Sequence, residues 1–307
     1  MNVSKKIFAL GFFDGVHRGH RVLLQQCAEL AKQLGCGTAA ITFDRHPQAL
    51  FRNIPPALIS TVEDRKLLLS FYGMDSVTVL PVTKEVMSTN WKIFLEQLLE
   101  DGAAGFVCGD DFRFGARGEG SSEKLKQFCR ERDLPCIIVP EQTVDGIRIS
   151  STYIRSQIEN GDMATAVKFL GHPLILTGQV VPGKQLGRRL GIPTANLLLP
   201  DGLAVPKFGV YVCRAWVDGA YHGAVTNVGT RPTVAGEGIT VEPWILDFDR
   251  DLYGKTITLE FHYFLRPEQK FTDLEALKNQ IHADAEHTRE YLKSLQQPQG
   301  SSLFPKR

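Results

Sequence analysis

Two histidines one helical turn apart, His17 and His20, are the side chains of this sequence whose type and spacing first indicate chemistry. They lie in GFFDGVHRGH (residues 11–20), directly after an apolar run at residues 7–10. Directly after them comes a segment, residues 21–34, whose apolar side chains recur at helical spacing. A helix N-terminus offers unpaired amide N–H groups and a partial positive charge to an anion. The segment therefore predicts a phosphate site where a strand turns into a helix.

Taken alone, the histidine pair has other interpretations. As a zinc site it lacks a third ligand at a recognisable spacing, and either histidine is also compatible with a purely structural role. Three further polar segments follow predicted strands, and they are DRHP (44–47), DDFRFG (110–115) and RISSTYIR (148–155). Because ligands of open parallel sheets bind beyond the carboxyl ends of the strands, we expect all four segments at one edge of the sheet.

The last of these segments supplies the donors that a phosphate site needs. Arg148 and Arg155 offer charge-assisted hydrogen bonds, and Ser151 and Thr152 offer hydroxyl groups. Nucleotidyl transfer at an α-phosphate requires electrostatic stabilisation of a charged transition state and no covalent nucleophile. Together with the histidine pair, the segment predicts a nucleotidyl-transfer site. The ATP-binding residues predicted there are Gly11, Asp14, Gly15, Arg148, Ser151, Thr152 and Arg155.

The second half of the chain carries a different motif, PTAN (193–196). Thr194 and Asn196 are two residues apart in an extended segment, so their side chains face the same way. A hydroxyl and an amide oxygen side by side suit Mg²⁺, which keeps most of its waters and bridges phosphates. The preceding loop is basic and rich in glycine, and its predicted ATP-binding residues are Gly183, Lys184 and Gly187. The alternative is a Pro-Thr turn beside a basic loop.

Glu242 is the candidate general base of this second half. Its neighbours Val241, Trp244 and Ile245 are apolar, and a carboxylate among them is expensive to bury unless it is paired or functional. A glutamate can accept the proton of an alcohol that attacks a γ-phosphate. The alternative is an exposed strand position. Residues 227–233 contain glycine and proline and predict a second loop beside this site.

The elements that must position these side chains differ between the two halves. Strand-like apolar runs at 7–10, 38–43, 77–82, 105–109 and 136–140 alternate with helical patterns at 21–34, 62–71, 91–100, 123–132 and 152–170. This alternation predicts a Rossmann-like parallel α/β domain, whose sheet is covered on both faces.

From residue 174 the period changes to two. In KTITLEFHYFL (255–265) apolar residues alternate with Thr258, Glu260 and His262, which predicts a half-buried strand. Asp218-Gly219 marks a hairpin, so we expect an antiparallel β-barrel. A helix at about 272–295 follows it. The predicted domains are 1–172 and 173–297, with a disordered tail at 298–307.

Length, charge and cysteines limit the class of protein. A chain of 307 residues exceeds what one hydrophobic core usually holds, so two domains are expected. A net charge of +1 and no apolar run long enough to cross a bilayer predict no nucleic-acid or membrane partner. The six cysteines form no CxxC pair, which favours reduced thiols in a cytoplasmic protein. We expect a monomer or a weak homo-oligomer.

The N-terminal motifs resemble those of a known family. HRGH resembles the HxGH motif of the nucleotidyltransferase superfamily, and with TFDRHP, GDDFRFG and ISSTYIR it is similar to the adenylyltransferase domain of bacterial bifunctional riboflavin kinase/FAD synthetase. The resemblance implies that His17 and His20 engage the phosphates of ATP and that Asp111 lines the nucleotide site. It further implies that Arg148, Ser150, Ser151 and Thr152 help to hold the phosphates. Phe12 departs from the family, which often has a smaller or polar residue there.

The C-terminal motifs resemble the riboflavin kinase domain of the same family. They are GRRLGIPTAN, TNVGTRPT, VEPWILDF, DLYGK and FLRPEQKF. The resemblance implies that Thr194 and Asn196 bind Mg-ATP and that Glu242 is the base toward the riboflavin 5′-hydroxyl. His46 and Arg266 are the flavin-side candidates. At 243–244 the chain has Pro-Trp, where the family more often has a small or branched residue followed by His or Tyr.

The resemblance predicts a bifunctional enzyme that converts riboflavin to FMN and FMN to FAD, with ATP as co-substrate and Mg²⁺ at both sites. Its partners would be riboflavin, FMN and ATP. Two alternatives stay open, namely a flavin- or nucleotide-binding regulator without catalysis and an enzyme with only one active domain. The HxGH motif also occurs in class I aminoacyl-tRNA synthetases, but the near-neutral charge, the modest length and the lack of a KMSKS-like element argue against that class.

Overall fold

A computed structural model describes residues 4–50, 53–182, 191–233 and 236–295 of the chain. The chain divides into two compact units, which we call unit 1 (Met1–Ser151) and unit 2 (Thr152–Arg307). These units place residues 152–172 with the C-terminal half of the chain. The predicted domain limits, 1–172 and 173–297, stay a prediction. The predicted tail at 298–307 lies outside the described residues.

Within the described part of unit 1, five strands form the main parallel sheet in the order β3-β2-β1-β4-β7. Two small antiparallel pairs, β5 with β6 and β8 with β9, follow β4 and β7. The strands of the unit are β1 (Lys6–Leu10), β2 (Gly37–Phe43), β3 (Ser76–Leu80), β4 (Ala103–Gly109), β5 (Arg113–Phe114), β6 (Gly120–Ser121), β7 (Cys136–Val139), β8 (Thr143–Val144) and β9 (Ile147–Arg148). The predicted strands and the parallel sheet are confirmed.

The helices of unit 1 begin at side-chain caps that the sequence supplies. Thr61, Asn90 and Ser121 each accept a hydrogen bond from a backbone N–H of the first turn of the helix that follows them. The helices are α1 (Arg18–Leu34), α2 (Val62–Phe71), α3 (Lys84–Met87), α4 (Trp91–Glu100) and α5 (Ser122–Arg130). Buried apolar residues of the sheet, such as Phe8 and Phe106, pack against α4 and α5 through Leu95 and Phe128. Burial of a side chain of this size contributes about 1.5–3 kcal/mol.

Unit 2 contains a nearly closed antiparallel barrel. As far as the chain is described, six strands form its sheet in the order β10-β15-β12-β13-β14-β11. Gly178 of the first strand and Leu197 of the last are so close that a Cβ on Gly178 would lie 3.5 Å from the Leu197 side chain. The elements are α6 (Ser151–Asn160), α7 (Met163–Leu170), β10 (Leu174–Gln179), β11 (Leu197–Leu198), β12 (Gly209–Val217), β13 (Ala220–Thr233), β14 (Gly236–Ile245), β15 (Thr256–Pro267) and α8 (Leu274–Ser294). The predicted fold class, a parallel α/β domain plus an antiparallel barrel with a C-terminal helix, is confirmed.

Two details of unit 2 correct the sequence analysis. The predicted loop at 227–233 is wrong, because these residues continue β13. The predicted half-buried β15 is wrong as well, because Glu260 and His262 are buried on the face expected to be polar. Arg214 and Tyr221 make that burial tolerable, since both bond to the Glu260 carboxylate, at 2.7 and 2.6 Å.

The hairpin signal at Asp218-Gly219 is confirmed. It joins β12 to β13, and both residues have positive φ angles, 48° and 86°, as a type I′ turn requires. None of the helices in the described segments is long and apolar enough to cross a membrane.

Candidate functional site

The turn between β1 and α1 has an unusual backbone that sets the direction of the two histidines. Phe13, Gly15 and Val16 all have positive φ angles, 57°, 72° and 40°. His17 then caps α1, because its Nδ1 accepts a hydrogen bond from the amide of His20 at 3.3 Å. A strained turn of this kind persists only where its surroundings fix it. Since Nδ1 is an acceptor, the ring N–H of a neutral His17 is at Nε2.

The two imidazole rings are stacked. Their centroids are 3.6 Å apart and their planes are inclined by 11°. Nδ1 of His20 is inaccessible to solvent and has no hydrogen-bond partner among the described residues. Burial, with smaller contributions from the facing charges of His17 and Arg65, lowers the pKa of His20 well below its usual value. His20 is therefore neutral at neutral pH and offers one ring N–H.

The glycine of the HRGH motif is required by this stack. A Cβ on Gly19 would lie 3.3 Å from Cε1 and Nδ1 of His17, closer than side chains normally approach. Gly11 and Gly15 have packing roles instead. A Cβ on Gly11 would lie 2.8 Å from the Phe13 ring, and one on Gly15 would lie 2.8 Å from Ile59. The predicted contact of Gly11 and Gly15 with ATP stays a prediction.

Asp14 faces the interior of unit 1. Its Oδ1 accepts hydrogen bonds from the amides of Ile59 and Ser60 at 2.8 and 3.2 Å, and the residue is 1% exposed. Its backbone oxygen accepts a bond from the Ser151 hydroxyl at 3.1 Å. The carboxylate therefore holds the turn against the loop before α2. The predicted contact of Asp14 with ATP stays a prediction.

A cavity of about 230 Å³ opens beside the histidine pair. Three of the four polar segments that were expected at one edge of the sheet meet there. The segment RISSTYIR contributes Arg148 to Ser151, and Ser151 is the last residue of unit 1. It is lined by His17, Gly19, His20, Leu23, Gly109, Asp110, Asp111, Val139, Pro140, Glu141, Gln142, Arg148, Ile149, Ser150 and Ser151.

Arg148 is held by two carboxylates at the cavity wall. Its Nη2 lies 2.8 Å from Asp111 Oδ2 and 2.6 Å from Glu141 Oε1. All three side chains are about half exposed, so these pairs contribute little to stability. They place a guanidinium and two carboxylates at the cavity wall, where a bound nucleotide can replace one partner of each ion pair.

Three predicted residues of the first site are not among the residues that line the cavity. Thr152 and Arg155 belong to α6 in unit 2, where Arg155 Nη2 donates to Thr152 Oγ1 at 3.1 Å. His46, from the fourth polar segment, does not line the cavity and is edge-on to Phe12, with ring centroids 5.3 Å apart. Their predicted ligand contacts stay predictions.

Arg65, which contacts Phe12 beside the turn, is the residue near this site that sequence reasoning missed. It is fully buried and its guanidinium lies over the Phe12 ring, 4.6 Å from the centroid. A signal was present, because Arg65 shares a helix face with Leu68 and Leu69, both fully buried. A charged residue at a position where the period requires an apolar one indicates a paired or functional group.

In unit 2 the PTAN motif lines a second cavity of about 100 Å³. Thr194 and Asn196 lie there with the acidic residues Asp249 and Asp251. No group of three His, Cys, Asp or Glu side chains in the described residues could hold a metal ion by itself. An oxygen-rich wall with few carboxylate ligands fits Mg²⁺, which retains waters and takes phosphate oxygens as ligands.

Glu242 lies across from the PTAN motif. Leu197 pairs with Val241, and the Ala195 amide donates to the Pro243 carbonyl at 2.9 Å, so the register places Asn196 opposite Glu242. Thr240 Oγ1 donates to Glu242 Oε1 at 3.4 Å. The predicted metal ligand and the predicted base therefore share one region of unit 2.

The unusual Pro243-Trp244 pair leaves this arrangement intact. In an antiparallel ladder the N–H and C=O of one residue point to the same neighbour. Because the Pro243 carbonyl bonds to Ala195, its missing N–H also lies on that side and costs no bond to β13. Trp244 packs edge-on against His282 of α8, with ring centroids 5.8 Å apart.

Arg266 forms a buried ion pair. Its Nε and Nη2 donate to the Asp284 carboxylate of α8 at 3.1 and 2.8 Å. Its side chain is 17% exposed and that of Asp284 is 2% exposed, so the pair fixes α8 to the barrel. A flavin contact of Arg266 stays a prediction. The predicted ATP-binding residues Gly183, Lys184 and Gly187 lie outside the described residues.

Two family models match the chain. Residues 1–153 match the model described as FAD synthetase, and residues 170–292 match the model described as riboflavin kinase. Three curated relatives carry the description bifunctional riboflavin kinase/FMN adenylyltransferase. The relative from Listeria monocytogenes is 34% identical over 95% of this chain and 94% of its own. That from Pseudomonas fluorescens is 36% identical over 91% and 90%, and that from Escherichia coli K12 is 35% identical over 93% and 92%.

One solved structure is similar over nearly the whole chain. It is described as a macrolide-efflux protein from Streptococcus pneumoniae, is 32% identical, and covers 94% of this chain and 95% of its own with a TM-score of 0.83. That description names an activity for the pneumococcal protein alone, and it differs from the one that the curated relatives share.

Proposed function

This chain belongs to the family of bifunctional riboflavin kinases/FMN adenylyltransferases, and from that premise we propose which of its residues carry each reaction. The enzyme phosphorylates riboflavin with ATP to give FMN, and it adenylylates FMN with ATP to give FAD and pyrophosphate. The assignments below rest on the cavity of unit 1, on the cavity that Thr194 and Asn196 line in unit 2, and on the strand register that places Glu242 opposite Asn196.

We assign the adenylylation to the cavity of unit 1. A phosphate oxygen of FMN attacks the α-phosphorus of ATP, and the bond to the pyrophosphate group breaks. The ring N–H groups of His17 and His20 and the amides of the first turn of α1 donate to the oxygens on which charge develops. The stacked histidine pair at the cavity wall is the observation that carries this assignment. No side chain acts as a nucleophile.

The same cavity has a second wall that suits the rest of the nucleotide. Asp111, Glu141 and Arg148 lie there as an ion-paired group. A carboxylate accepts hydrogen bonds from ribose hydroxyls or an exocyclic amine, and the guanidinium donates to phosphate. We propose that ATP breaks these ion pairs when it binds and replaces them with its own contacts to the three side chains. His46, edge-on to Phe12, is retained as the flavin-side candidate.

We assign the kinase reaction to the region between the PTAN motif and β14. Glu242 accepts the proton of the riboflavin 5′-hydroxyl as its oxygen attacks the γ-phosphorus of ATP. Thr194 and Asn196 would hold Mg²⁺, which neutralises charge on the transferred phosphoryl group when it is bound. The register that places Asn196 opposite Glu242 is the observation that carries this assignment. Arg266 and the basic residue Lys184 are kept as candidates for the flavin and the phosphates.

An assay that separates the reactions tests the whole proposal. The protein is given ATP and Mg²⁺ with riboflavin in one experiment and with FMN in another, and products are separated by chromatography. We expect FMN and FAD from riboflavin, and FAD and pyrophosphate from FMN. Binding of both flavins without any product would instead support the regulator hypothesis, and product in only one of the two experiments would support a single active domain.

We also propose that the enzyme works in the cytoplasm. All six of its cysteines are free thiols, and three of them, Cys27, Cys108 and Cys129, are buried in unit 1. Free thiols are usual where glutathione keeps proteins reduced. Fractionation of cells with an antibody to the chain tests the location.

A further inference from the structure

Arg65 is the largest fully buried side chain in the described parts of the chain. Its guanidinium donates to two segments at once. Nη1 donates to Thr42 Oγ1 and to the Phe43 carbonyl at 3.1 and 2.7 Å. Nη2 donates to the Ser60 carbonyl at 3.4 Å, and Nε lies 3.5 Å from Ser60 Oγ. The end of β2 and the loop before α2 are therefore joined by one side chain.

Thr42 and Ser60, which accept hydrogen bonds from Arg65, are also hydrogen-bonded to the turn that carries the histidines. Thr42 Oγ1 donates to the Phe12 carbonyl at 2.6 Å. Ser60 Oγ accepts from the Gly15 amide at 3.0 Å, and the Ser60 amide donates to Asp14 at 3.2 Å. The guanidinium itself covers the Phe12 ring. The turn at 12–15 is thus held on both sides by groups that Arg65 orients.

A guanidinium in the interior is costly, and packing alone does not explain it. Taking a charge out of water costs several kcal/mol unless hydrogen bonds and a counter-charge offset the loss. Burial lowers the pKa of Arg65, and the nearby Asp14 carboxylate opposes that shift. An apolar side chain on this face of α2 would avoid the cost but would leave Thr42, Ser60 and the Phe12–Gly15 turn without a common partner.

We propose that Arg65 is a positioning residue for adenylylation, which holds the strained Phe12–Val16 turn in the geometry that directs His17 and His20 into the cavity. This proposal rests on the proposed role of that histidine pair. Arg65 is fully buried and does not line the cavity, so it acts through the turn. A donor that must meet charge only in the transition state contributes to kcat more than to KM.

Two substitutions of Arg65 test the proposal in the full chain. Arg65→Lys keeps the positive charge but loses the planar set of N–H donors. Arg65→Met keeps the approximate volume but loses both the charge and the donors. We expect kcat for FMN adenylylation to fall about 10-fold in the first and about 100-fold in the second, because small misplacement of catalytic groups has effects of this size. The KM for ATP should change less than about 3-fold, since the displaced donors act mainly in the transition state.

Arg132→Lys is the matched control. Arg132 also covers an aromatic ring, that of Phe128, at 3.8 Å, and it also pairs with neighbouring groups of unit 1. It follows α5 in the chain, and its partners Glu96, Phe128 and Glu131 do not belong to the turn at 12–15. We expect unchanged adenylylation in this variant and unchanged riboflavin phosphorylation in all three.

Titration of His20, followed by nuclear magnetic resonance of its ring nitrogens, shows whether Arg65 acts on the histidine pair. Arg65 is one of the charges that lower the pKa of His20. The pKa should rise in Arg65→Met and stay in place in Arg65→Lys, which keeps the charge. The other groups around His20 are the same in both variants, and they are His17 at the N-cap of α1, Asp110 and Asp111 after β4, and Glu141 and Arg148 after β7.

The outcomes separate this proposal from the one on which it rests. Wild-type kcat in Arg65→Lys and Arg65→Met, while His17→Ala is inactive, would overturn the role of Arg65 and leave the histidines in place. Full activity of a His17→Ala, His20→Ala double variant would overturn the proposed function itself. If Arg65→Met fails to fold, Ser60→Ala takes its place. It removes the acceptor of the Gly15 amide, and an unchanged kcat in Ser60→Ala and Arg65→Lys together would contradict the proposal.

Discussion

The amide of His20 donates to Nδ1 of His17 while the two imidazole rings lie stacked, with centroids 3.6 Å apart. One hydrogen bond therefore fixes the tautomer of His17, begins helix α1 and sets the two rings side by side. Both rings and the N-terminus of α1 then line the same cavity. Catalysis of this kind depends on donors that are in place before charge develops.

Gly19→Ala should impair adenylylation without affecting the kinase. The new Cβ would lie 3.3 Å from the His17 ring, so the ring must shift by a few tenths of an ångström, which disturbs the stack. We expect kcat for FAD formation to fall about 10-fold or more. Arg18→Ala is the control, because Arg18 is exposed in the same motif. Steady-state rates of both reactions check the prediction, and equal rates for Gly19→Ala and Arg18→Ala would refute the steric argument.

The depressed pKa of His20 predicts an acid-sensitive unit 1. The unfolded chain binds a proton at about pH 6.5 and the folded form binds it only at lower pH. Stability is therefore unaffected above about pH 6.5 and is lost as the pH falls from there toward the folded pKa. Urea unfolding midpoints measured from pH 7 to pH 5 should fall more steeply for the wild type than for His20→Gln.

The comparison of these two proteins isolates His20. The pKa of His262 in unit 2 is also lowered, mainly by burial, but this residue is the same in both proteins and cancels. Parallel midpoint curves for the wild type and His20→Gln would mean that His20 is not desolvated in the folded state.

Asn196→Ala should raise the Mg²⁺ requirement of the kinase alone. The amide oxygen is one of two neutral protein ligands proposed for the ion, whose other ligands would be waters and phosphate oxygens. We expect the Mg²⁺ concentration for half-maximal FMN formation to rise about 10-fold, the lower part of the range seen when a group that supports a metal is removed. The Mg²⁺ dependence of FAD formation from FMN is the internal control. A shift of both curves, or of neither, would place the ion elsewhere.

Periodicity and motif order predict the fold of both units well. The strands of unit 1 are short apolar runs between helical patterns, and the Asp218-Gly219 hairpin has a local signature, so both are visible in the sequence. The burial of Glu260 is not visible, because its partners Arg214 and Tyr221 come from strands far away along the chain. Local pattern indicates which face a residue occupies and not what covers that face.

The first site is predicted in part for the same reason. Topology brings His17, Asp111 and Arg148 to one cavity, as expected for the carboxyl ends of parallel strands. The segment with His46 ends at the same edge of the sheet but turns toward Phe12. Asp14 belongs to the motif and still faces inward, because two amides of the loop before α2 offer it better partners than water does.

The most direct test of the account is a reciprocal pair of variants, His17→Ala with His20→Ala, and Glu242→Ala, each assayed for both reactions. The double histidine variant should convert riboflavin to FMN at the wild-type rate and form no detectable FAD. Glu242→Ala should form no detectable FMN from riboflavin and should convert supplied FMN to FAD at the wild-type rate. Loss of both reactions in either variant, in protein that is folded by circular dichroism, would contradict the assignment of one reaction to each cavity.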